Sequence, residues 1–339
     1  MPAHRPISVW LFVVSLLVVV MIVFGGWVRL TGSGLSIVRW DVVTGIVPPL
    51  GEEAWARAFA AYQQTPEYLH VNAGMGLDEF RSIYYMEYAH RVLGRLAGLA
   101  FVLPLLVFVA RGAIPRNRLL PFLGIAALFA AQGVLGWLMV QSGLVDQPRV
   151  SHLRLTGHLG TALLLLAACL WLGLGYAFGP RPAEQARSSG PMRALAALFL
   201  AAAVLQILAG GLLAGLHAGL ISDTFPRMFG EWVPDGMWNL RPWMANHLHN
   251  PATVHFQHRW FAFLVLGVAV AVALRGGREA LPAPLRAAAR GAMHLTAFQV
   301  LVGVGLVAMH VPAWMASLHQ AVAIAILIDA VFVCHRAYA

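Results

Sequence analysis

Eight stretches of about 20 apolar residues punctuate this chain, and a run of that length is what a helix needs to cross a bilayer core of roughly 30 Å. They lie near residues 8–28, 86–110, 119–141, 153–178, 193–216, 254–274, 291–311 and 314–335. Hydrophobic residues make up 60% of the sequence and charged residues only 11%, with a mean hydropathy of +0.73, which places the chain among polytopic membrane proteins. The net charge of +9 belongs to topology and not to a nucleic-acid partner. Nucleic acid would require a basic stripe on a solvated face, whereas these arginines sit singly or in small groups between apolar runs. The two cysteines, Cys169 and Cys334, lie far apart within apolar runs. That arrangement excludes CxxCH haem attachment, a zinc ribbon and an extracellular disulfide.

The first apolar run follows Arg5, is too long for a signal peptide, has no small-residue cleavage site and continues into Gly25-Gly26, so it is expected to remain as an anchor. The side that holds both termini carries twelve arginines against two acids, Glu184 and Glu279, while the opposite side has eleven of each. The positive-inside rule therefore predicts cytoplasmic termini. With no Arg- and Ser-rich transit segment, the expected location is a bacterial inner (plasma) membrane.

The outer loops are the long ones. Between Arg29 and Tyr85, residues 53–62 place Trp55, Phe59 and Tyr62 on one helical face, which predicts a short helix lying on the membrane surface as a lid or as an interfacial anchor. Near Gly179 to Pro191 a link containing Pro, Arg and Ser divides the chain. The expected organisation is an N-terminal four-helix half over residues 1–180, a cytoplasmic linker over 181–192 and a C-terminal four-helix half over 193–339.

The halves repeat. Gly25-Gly26 with Ser33-Gly34-Leu35 matches Gly210-Gly211 with Ala218-Gly219-Leu220, and Glu87-x-x-His90-Arg91 matches His255-x-x-His258-Arg259. Gln132-x-x-x-Gly136 matches Gln299-x-x-x-Gly303, and His158 matches His319. The offset changes only across loops, as duplication with loop trimming predicts. With four helices per half, both halves share one orientation. The predicted fold is an all-α membrane protein whose eight transmembrane helices form two pseudo-two-fold-related four-helix bundles.

Four histidines survive the comparison: His90, His158, His258 and His319. Neutral imidazoles from facing helices hold a haem iron from both sides, and bundle interiors are where such cofactors sit. At the same outer level, Arg91, Arg95, Arg154 and Arg259 are placed to pair with haem propionates or to snorkel to the interface. His4, His70, His247, His249 and His335 read as surface or terminal residues, and His152, His217, His294 and His310 as structural. His152, six residues before His158, is also placed to reach a propionate.

Glu87 stands where the second half has His255. Three residues ahead of a histidine on a helix is the same face, one turn outward. A carboxyl in that partly dry place is expected to exchange a proton or stabilise a developing cation. The first half is thus expected to do chemistry on its haem, and the second to carry a haem that passes electrons.

These residues carry a family resemblance. The run Gly25-Gly26-x-x-Arg29-Leu30-Thr31-x-Ser33-Gly34-Leu35-Ser36, then Trp40, Pro48-Pro49, Trp55, Phe59, Tyr62, Pro66-Glu67-Tyr68, Asn72, Met75, Glu79-Phe80 and Glu87-Tyr88-x-His90-Arg91-x-x-Gly94-Arg95 resembles the heme A synthase family. Gln132-Gly133-x-x-Gly136-Trp137-x-Met139-Val140-x-Ser142-Gly143-Leu144 and Leu318-His319-Gln320 extend the likeness over most of the chain. The resemblance implies an oxidoreductase that converts the ring methyl of heme O to the formyl group of heme A by successive hydroxylations, for cytochrome oxidase assembly. It implies that His90 and His158 flank the substrate or product haem, that His258 and His319 ligate a resident heme B, and that Glu87 is the catalytic residue required for turnover. A heme O synthase would act upstream and an unnamed electron donor would supply reducing equivalents. The loop cysteine pairs of one family branch are missing, so the likeness is to the proteobacterial and mitochondrial branch, with no thiol route through those loops.

Rival readings from the residues alone are a non-haem metal hydroxylase using His247, His249, His255 and His258, a quinol-linked di-haem electron carrier, and a transporter. The sequence names neither the electron donor nor the oxygen source. Asp329 has no assigned place. Small-residue patches such as Gly210-Gly211 allow close helix contact within the chain or in a homo-oligomer.

Overall fold

The computed structural model describes residues 4–41, 44–145, 147–179 and 189–338. Its helices are α1 (Arg5–Leu30), α2 (Glu52–Tyr62), α3 (Pro66–His70), α4 (Leu77–Ala110), α5 (Leu120–Gln141), α6 (His152–Phe178), α7 (Gly190–Gly215), α8 (Asn246–His249), α9 (Pro251–Arg278), α10 (Ala283–Ala308) and α11 (Ala313–Tyr338). Eight of these, α1, α4 to α7 and α9 to α11, are long and apolar enough to cross a membrane. The protein is an all-α, multi-pass membrane protein.

Most spans begin and end within a few residues of the positions expected from hydropathy. Two begin earlier. α4 starts at Leu77 because the main-chain N–H of Gly76 donates to the Glu79 carboxylate at 2.9 Å, closing the first turn from outside the apolar run. Its first turns bear aromatic side chains that pack on protein and not lipid, so hydropathy passes over them. α10 starts at Ala283, with a proline in its first turn, where Arg286 and Arg290 dilute an otherwise helix-favouring alanine run. Of the expected linker, residues 181–188 lie outside the described residues. Ser189 caps α7 by accepting from the Met192 N–H at 3.1 Å and also bonds Glu279, which Arg275 pairs at 2.7 Å. These bonds hold the Glu279 carboxyl below its usual range despite the opposing effect of burial.

Two compact units are distinguished, Leu17–Ala162 and Met1–Leu16 with Leu163–Ala339. In the second, α7 packs against α9 and α11, and α10 packs against the same two helices. The ring closes into a four-helix bundle with Phe199, Val265, Ala269, Leu285, Ala289 and Ile326 at its core. Alanine at so many core positions lets the backbones approach, which is how helices associate where lipid removes the hydrophobic drive. This unit also holds the first turns of α1 against the end of α6: a Cβ on Gly173 would come within 2.8 Å of Phe12, and the His4 N–H donates to the Tyr176 carbonyl at 2.9 Å.

In the other unit α4 packs against α5 and α2. The aromatic face of α2 is turned onto protein and packs against α4. Trp55 is 6% exposed and Tyr62 0%, both packed with Phe80 of α4. The early start of α4 supplies the partners: Trp55 meets the Tyr84 ring edge-on at 5.0 Å, and Tyr62 stacks on Phe80 at 5.0 Å.

Candidate functional site

Each of the four repeated histidines stands against a glycine of a neighbouring helix. A Cβ on Gly25 would fall 2.8 Å from His90 Nε2, and one on Gly136 would fall 3.3 Å from His158 Cε1. In the other unit the same construction puts Gly210 against His258 and Gly303 against His319, each at 3.1 Å from Cε1. Real Cβ contacts are rarely this short, so the glycine is what lets a helix backbone sit on the imidazole ring. His158 is within electrostatic reach of His90, as His319 is of His258. The two histidines of each pair thus lie near one another in space.

The rings of His258 and His319 have centroids 6.3 Å apart and planes inclined at 64°. Metal–imidazole bonds run at about 2 Å, and a ring centre lies about 1 Å beyond its bonding nitrogen, so one iron held between two imidazoles needs about 6 Å between centres. The measured separation fits. Nδ1 of His158, His258 and His319 is buried without a hydrogen-bond partner. An unmet buried polar atom costs roughly 1–3 kcal/mol, and a bound metal or ligand is one way of meeting that cost. These residues suit a haem iron.

Three of the four histidines are also tied by their main chain. Gln132 donates its side-chain amide to the His158 carbonyl at 3.1 Å, Gln206 to that of His258 at 2.9 Å and Gln299 to that of His319 at 2.9 Å. Gln206 was not singled out in the sequence, although Gln206-x-x-x-Gly210 has the same spacing as the two motifs that were.

Glu87 lies one turn before His90 on α4 and is 3% exposed. Four donors converge on its carboxylate. The Ser36 hydroxyl and the Ile37 N–H reach Oε2 at 2.7 Å and 2.9 Å, and Arg91 reaches Oε1 with Nε at 3.1 Å and Nη2 at 2.6 Å. Arg91 continues to the carbonyls of Arg39 at 3.0 Å and Ile37 at 2.9 Å, with its guanidinium 4.9 Å over Trp40. Glu87 and Arg91 thus pin the segment after α1 onto α4.

The other half repeats this hub with a different acceptor. Arg259 Nε donates to His255 Nε2 at 2.8 Å, and its terminal nitrogens reach the carbonyls of Thr224 at 2.6 Å and Ser222 at 3.1 Å. Arg95 bonds the carbonyls of Arg91 and Asp41, both at 2.9 Å, and Arg154 that of Leu138 at 2.6 Å. Each of the four arginines expected near propionates spends donors on loop or helix carbonyls. Ser36 is legible only as the last residue of a motif and Ile37 not at all, because a carboxylate's donors from a distant loop leave no local spacing to read.

His247 sits against the stacked rings of Trp238 and Trp243, at ring distances of 5.6 Å and 4.7 Å, and hydrogen-bonds Gln257. His152 begins α6. Asp329 of α11 keeps Oδ2 buried and without a hydrogen-bond partner. Among the described residues no group of three or more His, Cys, Asp or Glu side chains is gathered as a metal-holding cluster, so His247, His249, His255 and His258 do not form the non-haem centre that their spacing in sequence allowed.

Fold and site together define a class: an all-α multi-pass membrane protein with paired histidines cradled on glycines and one buried carboxylate beside a single pair. Comparison with known proteins narrows this. The chain belongs to the COX15-CtaA family of cytochrome oxidase assembly proteins, which it matches over residues 8–331. Curated relatives carry the name heme A synthase. The one from Methylorubrum extorquens (strain PA1) is 43% identical over 334 residues, 97% of this chain and 86% of the relative. Those from Nitrosospira multiformis and Paramagnetospirillum magneticum are 40% and 42% identical, each over 98% of this chain and 94% of the relative.

Proposed function

We propose that this protein is a heme A synthase, an oxidoreductase that takes heme O as substrate and oxidises its ring methyl group to a formyl group by successive hydroxylations, releasing heme A for cytochrome oxidase assembly. The observation that carries the reading is the asymmetry between two otherwise matched hubs, Glu87–Arg91 beside His90 and His255–Arg259 beside His258. A site that only passes electrons has no use for a carboxylate in one copy alone.

In this reading residues 1–180 are the catalytic half, in which His90 and His158 hold the substrate or product haem. Residues 193–339 hold a resident heme B through His258 and His319, and that group would supply electrons to the reaction. Arg91, Arg95, Arg154 and Arg259 form the outer cationic rim that propionates would meet, and donors not committed to carbonyls remain on Arg91 and Arg154. Glu87, an acceptor ringed by donors, holds negative charge at a fixed place close to the His90 ring and would stabilise positive charge developing on the substrate edge. Its bonds to Ser36 and Ile37 keep the loop closed over that edge, which excludes water. The protein would sit in a bacterial inner membrane with cytoplasmic termini, downstream of a heme O synthase and supplied by a separate electron donor.

The test is to extract non-covalent haems from protein co-expressed with a heme O synthase, for wild type and Glu87→Gln, and to separate them by chromatography. Heme A or hydroxylated heme O in wild type, with heme O and heme B alone in the variant, is expected. Heme B alone in both, with heme O present in the membranes, would replace this reading with that of a di-haem electron carrier.

A further inference from the structure

Trp260, Phe263, Leu264, Gly267 and Leu274 are exposed along α9, and the helical repeat returns them all to one side of it. The buried residues His255, Val265 and Ala269 lie on the other side. On a helix that crosses a bilayer, an exposed apolar stripe of this kind is the lipid face. At the end of α9 that bears His258 the stripe does not stop with the helix. Phe225 stacks on Phe263 with ring centroids 6.3 Å apart, and Trp232 meets Trp260 at 6.4 Å. Both belong to the segment between α7 and α9, so the lipid face continues onto a loop.

That loop is held in shape from both sides. Arg259 grips the carbonyls of Ser222 and Thr224, the Thr224 hydroxyl donates to the Arg227 carbonyl at 2.9 Å, and the Asn250 amide donates to the Gly236 carbonyl at 2.8 Å. Between these ties Met228 and Glu231 exchange main-chain hydrogen bonds at 2.8 Å and 3.1 Å. They close a two-residue turn with Phe229 at φ 56° and Gly230 at φ 84°. Asn or Asp is the ordinary residue before glycine in such a turn, and a bulky side chain there is a backbone outlier. Phe229 and Trp232 are each 54% exposed, so packing within the chain does not account for rings at these places. The Arg227 guanidinium lies 5.5 Å over the Trp232 ring.

We propose that this turn is a finger resting in the membrane: Phe225, Phe229, Trp232 and Val233 enter the interfacial zone of the leaflet beside α9, with Arg227 at the level of the lipid phosphates. Tryptophan favours that zone because it has an apolar body and one N–H for the headgroups, and a guanidinium pairs with phosphate oxygens. Glu231, the acid of the turn, folds back to accept the Asp235 N–H at 3.0 Å. Lipid is the occupant because the rings extend a surface that lipid already covers, and a loop held in shape beforehand loses little freedom on immersion. The segment between α1 and α4 does the opposite and turns Trp55 and Tyr62 onto Phe80. The inference needs only that α9 spans a bilayer and is independent of the haem reading above.

The test places nitroxide labels on Phe229→Cys and Trp232→Cys in the full chain, reconstituted one per phospholipid nanodisc. The native Cys169 and Cys334 are buried, so the added cysteine takes the label. Relaxation by oxygen, which concentrates in lipid, is compared with relaxation by a water-soluble nickel chelate. Leu264→Cys on the stripe is the lipid reference, and Asp78→Cys, at a side chain 92% exposed, is the water reference. Both finger labels should give an oxygen-to-nickel ratio close to that at 264 and several-fold above that at 78. A ratio like that at 78 at either position would overturn the proposal and make the rings a docking surface for a soluble partner. Protection from both reagents would also overturn it, because protein and not lipid would then cover the rings. Val233→Cys reads the same turn with every ring kept, and decides the question if the other two variants do not accumulate.

Discussion

Arg91 grips Glu87 through two nitrogens on one carboxylate oxygen, Nε at 3.1 Å and Nη2 at 2.6 Å, in a pair whose side chains are 9% and 4% exposed. Arg259 makes the matching contact to His255 with Nε alone, at 2.8 Å. Both arginines then cap carbonyls of the segment that follows the preceding membrane-length helix, α1 for Arg91 and α7 for Arg259. The shared element is the arginine and its loop, and the variable one is the acceptor. That division separates holding the loop, which both hubs do, from placing a carboxylate beside a histidine pair, which only the Glu87 hub does.

Replacing Arg91 by lysine should therefore be severe. An ammonium cannot reproduce the planar fork that serves a carboxylate and two carbonyls at once, and breaking a buried pair from one side costs about 3–5 kcal/mol. Arg91→Lys should lower the thermal midpoint by several degrees and raise protease sensitivity in residues 36–41. Arg259→Lys should be milder, because no buried carboxylate is left unpaired. Equal losses in the two variants would mean that the loop contacts, and not the ion pair, dominate.

The glycine cradles predict a graded series. Gly25→Ala and Gly303→Ala place a Cβ at 2.8 Å and 3.1 Å from their histidines, against 3.3 Å for Gly136→Ala. The first two should displace the ring and lower the haem retained by the affected half to a small fraction of wild type, and the third should do so least. Overpacking of this kind costs about 1–3 kcal/mol. Haem per chain and the low-spin absorbance bands give the readout, and a normal complement in Gly25→Ala would show that the ring can move without loss of binding.

The packing of α2 on α4 gives a third expectation. Trp55 is 6% exposed, meets Tyr84 and Tyr85 at 5.0 Å and 5.3 Å, and lies under the Arg81 guanidinium at 5.4 Å. Trp55→Ala removes a buried aromatic at a cost of about 3–5 kcal/mol. It should free α2 for proteolysis while the membrane helices stay folded, with the change visible as cleavage confined to residues 44–76.

The eight spans were legible because lipid enforces their length, and His90, His158, His258 and His319 because duplication marks what each half keeps. Glu87 stood out for the opposite reason, as the position where the halves differ. What escaped were contacts made across elements. The donors from Ser36 and Ile37 lie about fifty residues before their acceptor, and no periodicity connects them. The inward turn of the α2 aromatic face depended on where α4 begins, and α4 begins in a stretch whose tyrosines and charges hide it from a hydropathy scan. Gln206 was missed although its spacing was visible, because Gly210 had been matched to Gly25, whose helix carries methionine at the same place.

Glu67 provides a pH signature outside the membrane spans. It is 6% exposed, and its carboxyl is pushed up to about 7, chiefly by burial, with the Glu87 charge adding to the rise and the Tyr62 hydroxyl opposing it. Tyr62 donates to Glu67 at 3.2 Å and accepts from Asn72 at 2.7 Å. That asparagine borders an open cleft of about 530 Å³ also lined by Met75, Glu79 and Ser82. A carboxyl whose folded pKa lies above its unfolded value of 4.5 binds its proton more tightly in the folded state. Its contribution is full below about pH 4.5, declines as the pH rises and is gone once the folded pKa near 7 is passed. Wild type should lose about 1–3 kcal/mol of outer-loop stability across that window relative to Glu67→Gln, which cannot ionise. Thermal midpoints measured in pairs from pH 4.5 to 7.5 give the difference directly. Parallel curves for the two proteins would show that Glu67 keeps an ordinary carboxylate pKa in the folded chain and that its contact with Tyr62 is made by the charged form.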